Sequence, residues 1–212
     1  MSHPDPAGAP DTRPIEPGEV FENPVTRERA VLIEAPWCNE AGRAVADMTA
    51  LPGARVVAEH LHPSLHESFT VREGELTVLH DGRRSVVRAG ERAEFEPGVW
   101  HDWWNEGEVD ATVRVEVTPG ERFAHLIETL FGLARDGHVN KRGMPDPLQL
   151  ALVATEFSDV IVFRRPPAAM QRALFTALVP IARRMGYRAT YPSLSRTTLA
   201  PRSPRPRSAR PG

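Results

Sequence analysis

The chain has 212 residues, enough for one medium-sized domain with an appendage, and its formal charge of −2 shows little bias towards either sign. Its single cysteine, Cys38, excludes an intrachain disulfide and a zinc site built from cysteines. The N-terminus lacks a secretion-signal pattern, and the longest apolar run, residues 173–182, is too short to cross a bilayer. We therefore expect a cytoplasmic protein that makes no membrane contact.

Both ends of the chain are predicted to be disordered. Residues 1–18 are rich in proline and poor in apolar side chains, and residues 191–212 carry five arginines without an acidic residue. Such segments bury too little apolar surface to offset the entropy lost on ordering. A basic tail on an acidic body differs from a nucleic-acid interface, which needs a basic face on the folded part, so we expect no nucleic-acid partner.

Residues 19–119 show the pattern of a β-sandwich or barrel, with short alternating segments separated by turn signals. The predicted strands cover residues 30–34, 43–50, 55–62, 67–72, 75–80, 83–89, 92–95, 100–105 and 111–117. Asp81-Gly82 is a strong hairpin signal because both residues tolerate positive φ. In the last strand, Val113, Val115 and Val117 alternate with polar residues, which predicts an antiparallel strand with one buried face.

Residues 120–190 are predicted to form a helical extension. One face of its first helix consists of Phe123, Leu126, Ile127, Leu130 and Phe131. A second helix is predicted from Pro147 to about Phe157, and a third from about Pro167 to Met185, with Gly186 as its stop signal. Their apolar faces must pack on the barrel, on each other or on a second subunit.

The residues best suited to chemistry are three histidines and a glutamate. His60 and His62 are two residues apart in an extended segment, so both rings project to the same face. Glu67 opens the next strand and can return a carboxylate to that place, while His101 follows the Pro97-Gly98 turn. Two histidines on a strand, taken alone, favour surface positions over a metal site. The added glutamate and distant histidine favour a site for one divalent ion of Fe, Mn, Ni, Cu or Zn.

A small-molecule pocket is predicted around this site. Its candidate lining residues are Met48, Phe69, Trp103 and Asn105. Trp103 and Asn105 are two and four residues after His101, so all three side chains are expected on the same face of the strand. For Trp103, packing in the hydrophobic core is the alternative interpretation. His66 has the opposite phase to Glu67, which favours an outward position over a role as ligand or proton shuttle.

The segment from Gly53 to Asn105 resembles the two motifs of the cupin superfamily. The first motif combines an HxH pair with a glutamate and closes on a glycine, here His60, His62, Glu67 and Gly74. The second is matched by Gly98, His101 and Asn105. Two positions depart from the usual pattern, because Gly53 lies one residue farther from the histidines and Glu96 stands where proline is usual. Neither position is a ligand.

The resemblance implies a mainly β fold, the cupin double-stranded β-helix or jelly-roll barrel, followed here by about three helices. It assigns His60, His62, Glu67 and His101 as the ligands of one divalent metal ion. It also suggests a quercetinase-like dioxygenase acting on a small aromatic, enol or diketone molecule, with Glu67 as ligand and catalytic proton acceptor. A non-catalytic ligand-binding or sensor cupin and a metal-dependent isomerase or lyase are the alternatives. Because cupins are commonly dimers, we expect a homodimer.

Overall fold

The computed structural model describes residues 15–56 and 58–190 together with the backbone of residues 197–198. The strands are β1 (Glu19–Asn23), β2 (Glu28–Glu34), β3 (Ala44–Ala50), β4 (His60–Leu61), β5 (His66–Glu73), β6 (Glu75–His80), β7 (Arg83–Arg88), β8 (Arg92–Phe95), β9 (His101–Trp104), β10 (Ala111–Thr118), β11 (Val162–Phe163) and β12 (Thr197–Thr198). The helices are α1 (Glu121–Arg135), α2 (Pro147–Glu156) and α3 (Ala168–Arg184). A short 3-10 helix, Pro36–Cys38, follows β2.

The strands form two antiparallel sheets. The larger sheet has the order β12-β1-β2-β3-β10-β5-β8, and the smaller has the order β11-β4-β9-β6-β7. One hydrophobic core joins inward side chains of both sheets, among them Met48, Phe69, Val71, Leu76, Val78, Trp103 and Val113. This mainly β architecture with C-terminal helices confirms the predicted fold class.

The register of the larger sheet explains how inward and outward residues separate. Val113 of β10 pairs with Met48 of β3 on one side and with Val71 of β5 on the other. Because side chains alternate along a strand, the valines at 113, 115 and 117 all face inward, as the sequence predicted. Val117 pairs with Glu67, so the same alternation directs that carboxylate into the barrel.

The main difference from the predicted strands lies in residues 55–62, where only His60–Leu61 is a strand. Arg55 N–H donates to the Thr26 carbonyl and Val56 N–H to the Trp103 carbonyl, so the preceding residues form irregular bridges to two separate segments. Strands β1 and β11 were also not predicted from the sequence pattern. The latter has only two residues, too few for any periodicity to be visible.

Most of the two predicted tails lies outside the described residues, but two parts of them are ordered. Ile15 is fully buried in a cluster with Phe21, Leu32 and Phe131. In the C-terminal tail, β12 pairs with β1 through Glu19 and Thr198. Ile15 therefore packs against β1, β2 and α1, and the backbone of β12 pairs with β1, whereas the composition of both segments had predicted disorder.

The three helices lie close to their predicted positions. Asp146 caps α2 by accepting from the backbone N–H groups of Leu148 at 3.0 Å and Gln149 at 3.2 Å, with Pro147 in the first turn. α3 continues through Pro180. None of the described helices is long and apolar enough to span a membrane.

Gly120 fixes the point where the helical extension leaves the barrel. Its N–H donates to the Gly42 carbonyl at 2.6 Å, and a Cβ at this position would lie 2.5 Å from the Cβ of Ala44. The start of α1 therefore depends on a backbone approach that only glycine permits.

We predict that Gly120→Ala destabilises the protein by about 2–3 kcal/mol, which lowers Tm by roughly 5–10 °C, because the added methyl group overlaps β3. Thermal unfolding followed by circular dichroism measures the change. Gly82→Ala is the control, since its Cβ would meet open space in an exposed hairpin and only the positive φ is strained. A smaller loss for Gly120→Ala than for Gly82→Ala would contradict the packing argument.

Candidate metal centre

Four side chains from both sheets meet inside the barrel. His60 lies on β4 and pairs directly with His101 on β9, and His62 follows one residue after β4. Glu67 reaches the same point from β5 of the opposite sheet. One donor atom from each residue lies within 4.8 Å of the others, and all four residues are buried. We refer to these residues, His60, His62, Glu67 and His101, as the four-residue cluster.

The contacts within the cluster are close. Oε2 of Glu67 lies 3.1 Å from Nε2 of His101 and 3.4 Å from Nε2 of His62. The rings of His60 and His101 have centroids 4.4 Å apart. Ligands bonded at about 2 Å to a common ion stand about 3–4 Å apart, so these two distances match those of neighbouring ligands on one ion.

Backbone carbonyls set the tautomer of every histidine in the cluster. Nδ1 of His60 lies 2.9 Å from the Ala58 carbonyl, and Nδ1 of His101 lies 3.0 Å from the Val99 carbonyl. Nδ1 of His62 contacts the Val160 carbonyl at 2.6 Å. A carbonyl oxygen only accepts hydrogen bonds, so each Nδ1 carries the proton and donates it. In the neutral imidazole Nε2 is thereby left with a free lone pair, and Nε2 of His62 and of His101 face Oε2 of Glu67.

Buried acceptor atoms without a hydrogen-bond partner indicate whether a metal ion fits the cluster. Among the described residues, the buried side-chain atoms without a hydrogen-bond partner include Nε2 of His62, Oε2 of Glu67 and Nε2 of His101. Burying such acceptors unpaired is unfavourable, and their convergence would add repulsion between lone pairs. A divalent cation bound by all of them removes both costs. The residues present therefore fit one metal ion.

Titration behaviour favours the ligating forms of His60 and Glu67. At His62, burial lowers the pKa, but the contact with Glu67 outweighs it and raises the pKa above its ordinary value, so a metal ion would have to displace a proton there. Burial, reinforced by the neighbouring His101 and His62, lowers the pKa of His60 to about 3, so its imidazole is neutral at physiological pH. Burial alone would raise the pKa of Glu67, but contacts with His101 and His62 outweigh it and hold that pKa below its ordinary value. Neutral imidazole and ionised carboxylate are the forms that bind metals.

Three residues of the cluster, His60, His62 and Glu67, line a cavity of about 150 Å³. Three of the predicted pocket residues, Met48, Phe69 and Trp103, line it. Further wall comes from the apolar face of α1, namely Phe123, Leu126, Ile127, Leu130 and Phe131. No lysine or arginine belongs to the described lining. The cavity is therefore mainly apolar. Its polar side chains are those of Asn23, Glu28, His60, His62 and Glu67.

Asn105, the fourth predicted pocket residue, does not line this cavity. Its Nδ2 donates to the carbonyls of Ala50 at 2.8 Å and Val109 at 2.9 Å, and its Oδ1 accepts from Gly107 N–H at 2.8 Å. Asn105 was predicted to face the same side as His101, but it lies one residue beyond the end of β9. Its side-chain amide instead forms hydrogen bonds that hold the turn that follows. His66 faces outward as predicted, with Nε2 3.5 Å from Oε1 of Glu96.

The contribution of the helical extension to the site could not be read from the sequence. Phe123 of α1 packs edge-on against His62 with ring centroids 5.7 Å apart, and β11 pairs Phe163 with His60. The Val160 carbonyl that orients His62 belongs to the same extension. The helical stripe of α1 was visible in the sequence, whereas a backbone carbonyl leaves no sequence signal.

We predict that His101→Ala and Glu67→Gln each weaken binding of Zn²⁺ or Ni²⁺ by at least about 100-fold, because each removes a direct ligand. Titration calorimetry on protein stripped with chelator measures the affinity. His66→Ala is the matched control and should bind like the unaltered protein. One tightly bound equivalent of metal in His101→Ala would contradict the four-residue site.

Comparison with known proteins agrees with this geometry. Residues 46–121 match the family model described as the cupin domain. No curated protein sequence matches the chain. Among solved structures, it is similar to a cupin-superfamily sugar phosphate isomerase from Silicibacter pomeroyi, at 22% identity and a TM-score of 0.38 over 44% of this chain and 60% of that one. The chain thus spans less than two thirds of that isomerase.

Two other solved structures are similar over the same fraction, 43% of this chain. One is titled a "predicted oxalate decarboxylase" from Thermotoga maritima, with 20% identity, a TM-score of 0.41 and coverage of 79% of its own chain. The other is a cupin domain of an XRE family transcriptional regulator from Enterobacter cloacae, with 17% identity, a TM-score of 0.38 and 95% coverage. At these TM-scores they carry no functional argument. Residues 46–121 of the chain are therefore a cupin domain, and C-terminal helices follow it.

Proposed function

We propose that this cupin is a metal-dependent oxidoreductase of the dioxygenase type that acts on a small aromatic, enol or diketone molecule. The observation that carries the proposal is the position of the four-residue cluster, which faces a cavity lined almost entirely by apolar side chains. The apolar wall of such a site binds the apolar surface of a ligand, and a few polar groups in the site fix the ligand's orientation.

The cavity wall favours this substrate class over anionic sugars and small dicarboxylates. Phe69, Trp103 and Phe123 supply aromatic surface near the cluster. Burial of apolar ligand surface against them contributes about 25 cal/mol per Å². An anionic phosphate or second carboxylate would find no arginine or lysine on the described lining, so its desolvation would be uncompensated there.

When bound, a divalent metal ion would supply a Lewis acid with open positions for substrate oxygens and for O₂. The chain's own residues fix and shield that position. The three imidazoles are held by backbone carbonyls, and Phe123 covers the edge of His62 against water. Glu67 has a pKa below its ordinary value, whereas a general base works best with a pKa near the working pH. We therefore assign Glu67 a metal-holding role ahead of proton abstraction.

Oxygen uptake tests this proposal. We predict that protein loaded with Fe²⁺, Mn²⁺, Ni²⁺ or Cu²⁺ consumes O₂ in the presence of catechol, quercetin or acetylacetone, with product formed in proportion. His101→Ala should lose at least about 100-fold in rate because the metal site is incomplete. An oxygen electrode combined with mass spectrometry of the product measures both quantities.

The outcomes distinguish the remaining functions. Turnover that continues under strict anaerobiosis would overturn the dioxygenase and indicate a metal-dependent isomerase or lyase. Saturable binding of the same molecules without turnover under any metal would also overturn it, and would indicate a ligand-binding or sensor cupin.

We also propose that the protein works as a cytoplasmic homodimer. Four large apolar side chains are exposed along one stripe of α3 and its C-cap residue, Met170, Leu174, Ile181 and Met185. The same stripe on a second copy could cover it through a two-fold symmetric contact.

Sedimentation velocity tests the homodimer. The unaltered protein should sediment as a dimer at micromolar concentration, and Leu174→Glu combined with Ile181→Glu should shift it to a monomer because the contact would bury two charges per copy. Arg172→Gln, off this stripe on the same helix, is the control. A monomeric unaltered protein at high concentration would contradict the proposal.

A further inference from the structure

Glu28 is a buried acid that the proposed chemistry does not use. It is the first residue of β2 and pairs with Ala50 of β3, while Ala30 pairs with Met48. Side chains two residues apart lie on one face of a strand, so Glu28 shares the inward face with Ala30. Both residues line the same cavity as the four-residue cluster, and Glu28 is only 8% exposed.

The register separates Glu28 from the cluster along the strands. Ala50, its partner, pairs on its other side with Ala111, whereas Glu67 pairs with Val117 and Val117 with Ala44. The two levels are six residues apart along β3, so the cluster and Glu28 lie at different levels of the barrel. The lining therefore has polar groups at two levels, the cluster at one and Glu28 with Asn23 at the other.

The surroundings of Glu28 contain no counter-charge. Within the described part of the chain, no arginine, lysine or histidine forms an ion pair with it; the neighbouring Arg29 pairs with Glu22 at 3.1 Å. Opposite Glu28, β1 presents Asn23 and β3 presents Ala50. The other titratable groups on the described lining are His60, His62 and Glu67, while α1 and residues 143–145 contribute no charged side chain.

This environment keeps the carboxyl group neutral. Burial raises the pKa of Glu28 to about 8, against a smaller opposing effect of the Thr26 hydroxyl. At pH 7 the group is therefore mainly a carboxylic acid, which offers one O–H donor to the cavity. A buried acid that gains no ion pair weakens the fold, and side chains of this kind are concentrated at binding and catalytic sites.

We propose that Glu28 is a second ligand-binding group of the cavity, which donates a hydrogen bond to an acceptor oxygen at the end of the ligand remote from the metal. The ligand class is then a largely apolar molecule with metal-binding oxygens on one side and a carbonyl or hydroxyl oxygen on the other. This inference rests on the proposed function only in placing the ligand in this cavity.

Two probes of different length test the inference on protein loaded with Zn²⁺, which supports no redox turnover. Catechol is a single ring whose two oxygens can both bind the metal, whereas quercetin carries a further ring system and further hydroxyl groups that could meet Glu28. Glu28→Ala should weaken quercetin binding about 10-fold, the effect of one lost hydrogen bond, and change catechol binding less than twofold. Glu28→Gln keeps a neutral donor and should bind quercetin within about threefold of the unaltered protein. Above pH 8 the unaltered protein should lose quercetin affinity relative to Glu28→Gln.

Each outcome bears on a separate claim. Catechol binding with no quercetin binding, or an equal effect of Glu28→Ala on both probes, would overturn the role of Glu28. If neither probe binds the unaltered protein, the proposed function is overturned. The protonation state of Glu28 is then tested by the dependence of protein stability on pH.

Stability against pH measures the state of Glu28 without any ligand. The folded protein retains a proton that the unfolded chain releases above about pH 4.5, so the unaltered protein should lose stability relative to Glu28→Gln as pH rises from about 5 to 8. Above pH 8 the difference should become constant, with Glu28→Gln the more stable. Glu22→Gln, an exposed position in the same hairpin, is the control and should follow the unaltered protein. Parallel curves for the unaltered protein and Glu28→Gln would overturn the inference.

Discussion

The site depends on one constraint, the fixing of three imidazole tautomers by backbone carbonyls. Ala58, Val99 and Val160 each accept the Nδ1 proton of one histidine, so every Nε2 lone pair is available at the same place. Among these atoms and those of the Glu67 carboxylate, Nε2 of His62, Nε2 of His101 and Oε2 of Glu67 are buried acceptors that no described protein donor satisfies. A bound cation would stabilise these buried acceptors. This explains how polar side chains can be placed inside an otherwise apolar barrel.

The helical extension belongs to the site as well as to the fold. Its Val160 carbonyl orients His62, its β11 pairs with the strand that carries His60, and the apolar face of α1 closes the cavity. Arg164 adds an ion pair with Glu59 at 2.7 Å, beside the same strand. The barrel alone would leave His62 without its partner and the cavity without one wall, so metal affinity and ligand shape are both coupled to the packing of the helices.

The sequence was informative where the signal was local. Alternation located the strands from β5 to β10, and the spacing of His60, His62, Glu67 and His101 located the cluster, because strand periodicity alone decides which side chains share a face. It was uninformative where a distant segment decides the outcome. Nothing in residues 160–163 predicted a carbonyl contact with His62, and the inward position of Glu28 required the β2–β3 register. Asn105 was predicted to line the pocket from its position in the strand alternation. Its side chain instead holds the turn that follows β9, which the alternation could not predict.

The convergence of three imidazoles and one carboxylate on a single ion is the central claim. X-ray absorption spectroscopy of the protein loaded with one equivalent of Zn²⁺ tests it most directly. The account predicts a first shell of nitrogen and oxygen at about 2.0–2.2 Å with the multiple-scattering signature of three imidazoles. A first shell without imidazole scattering, or with only one imidazole, would contradict it.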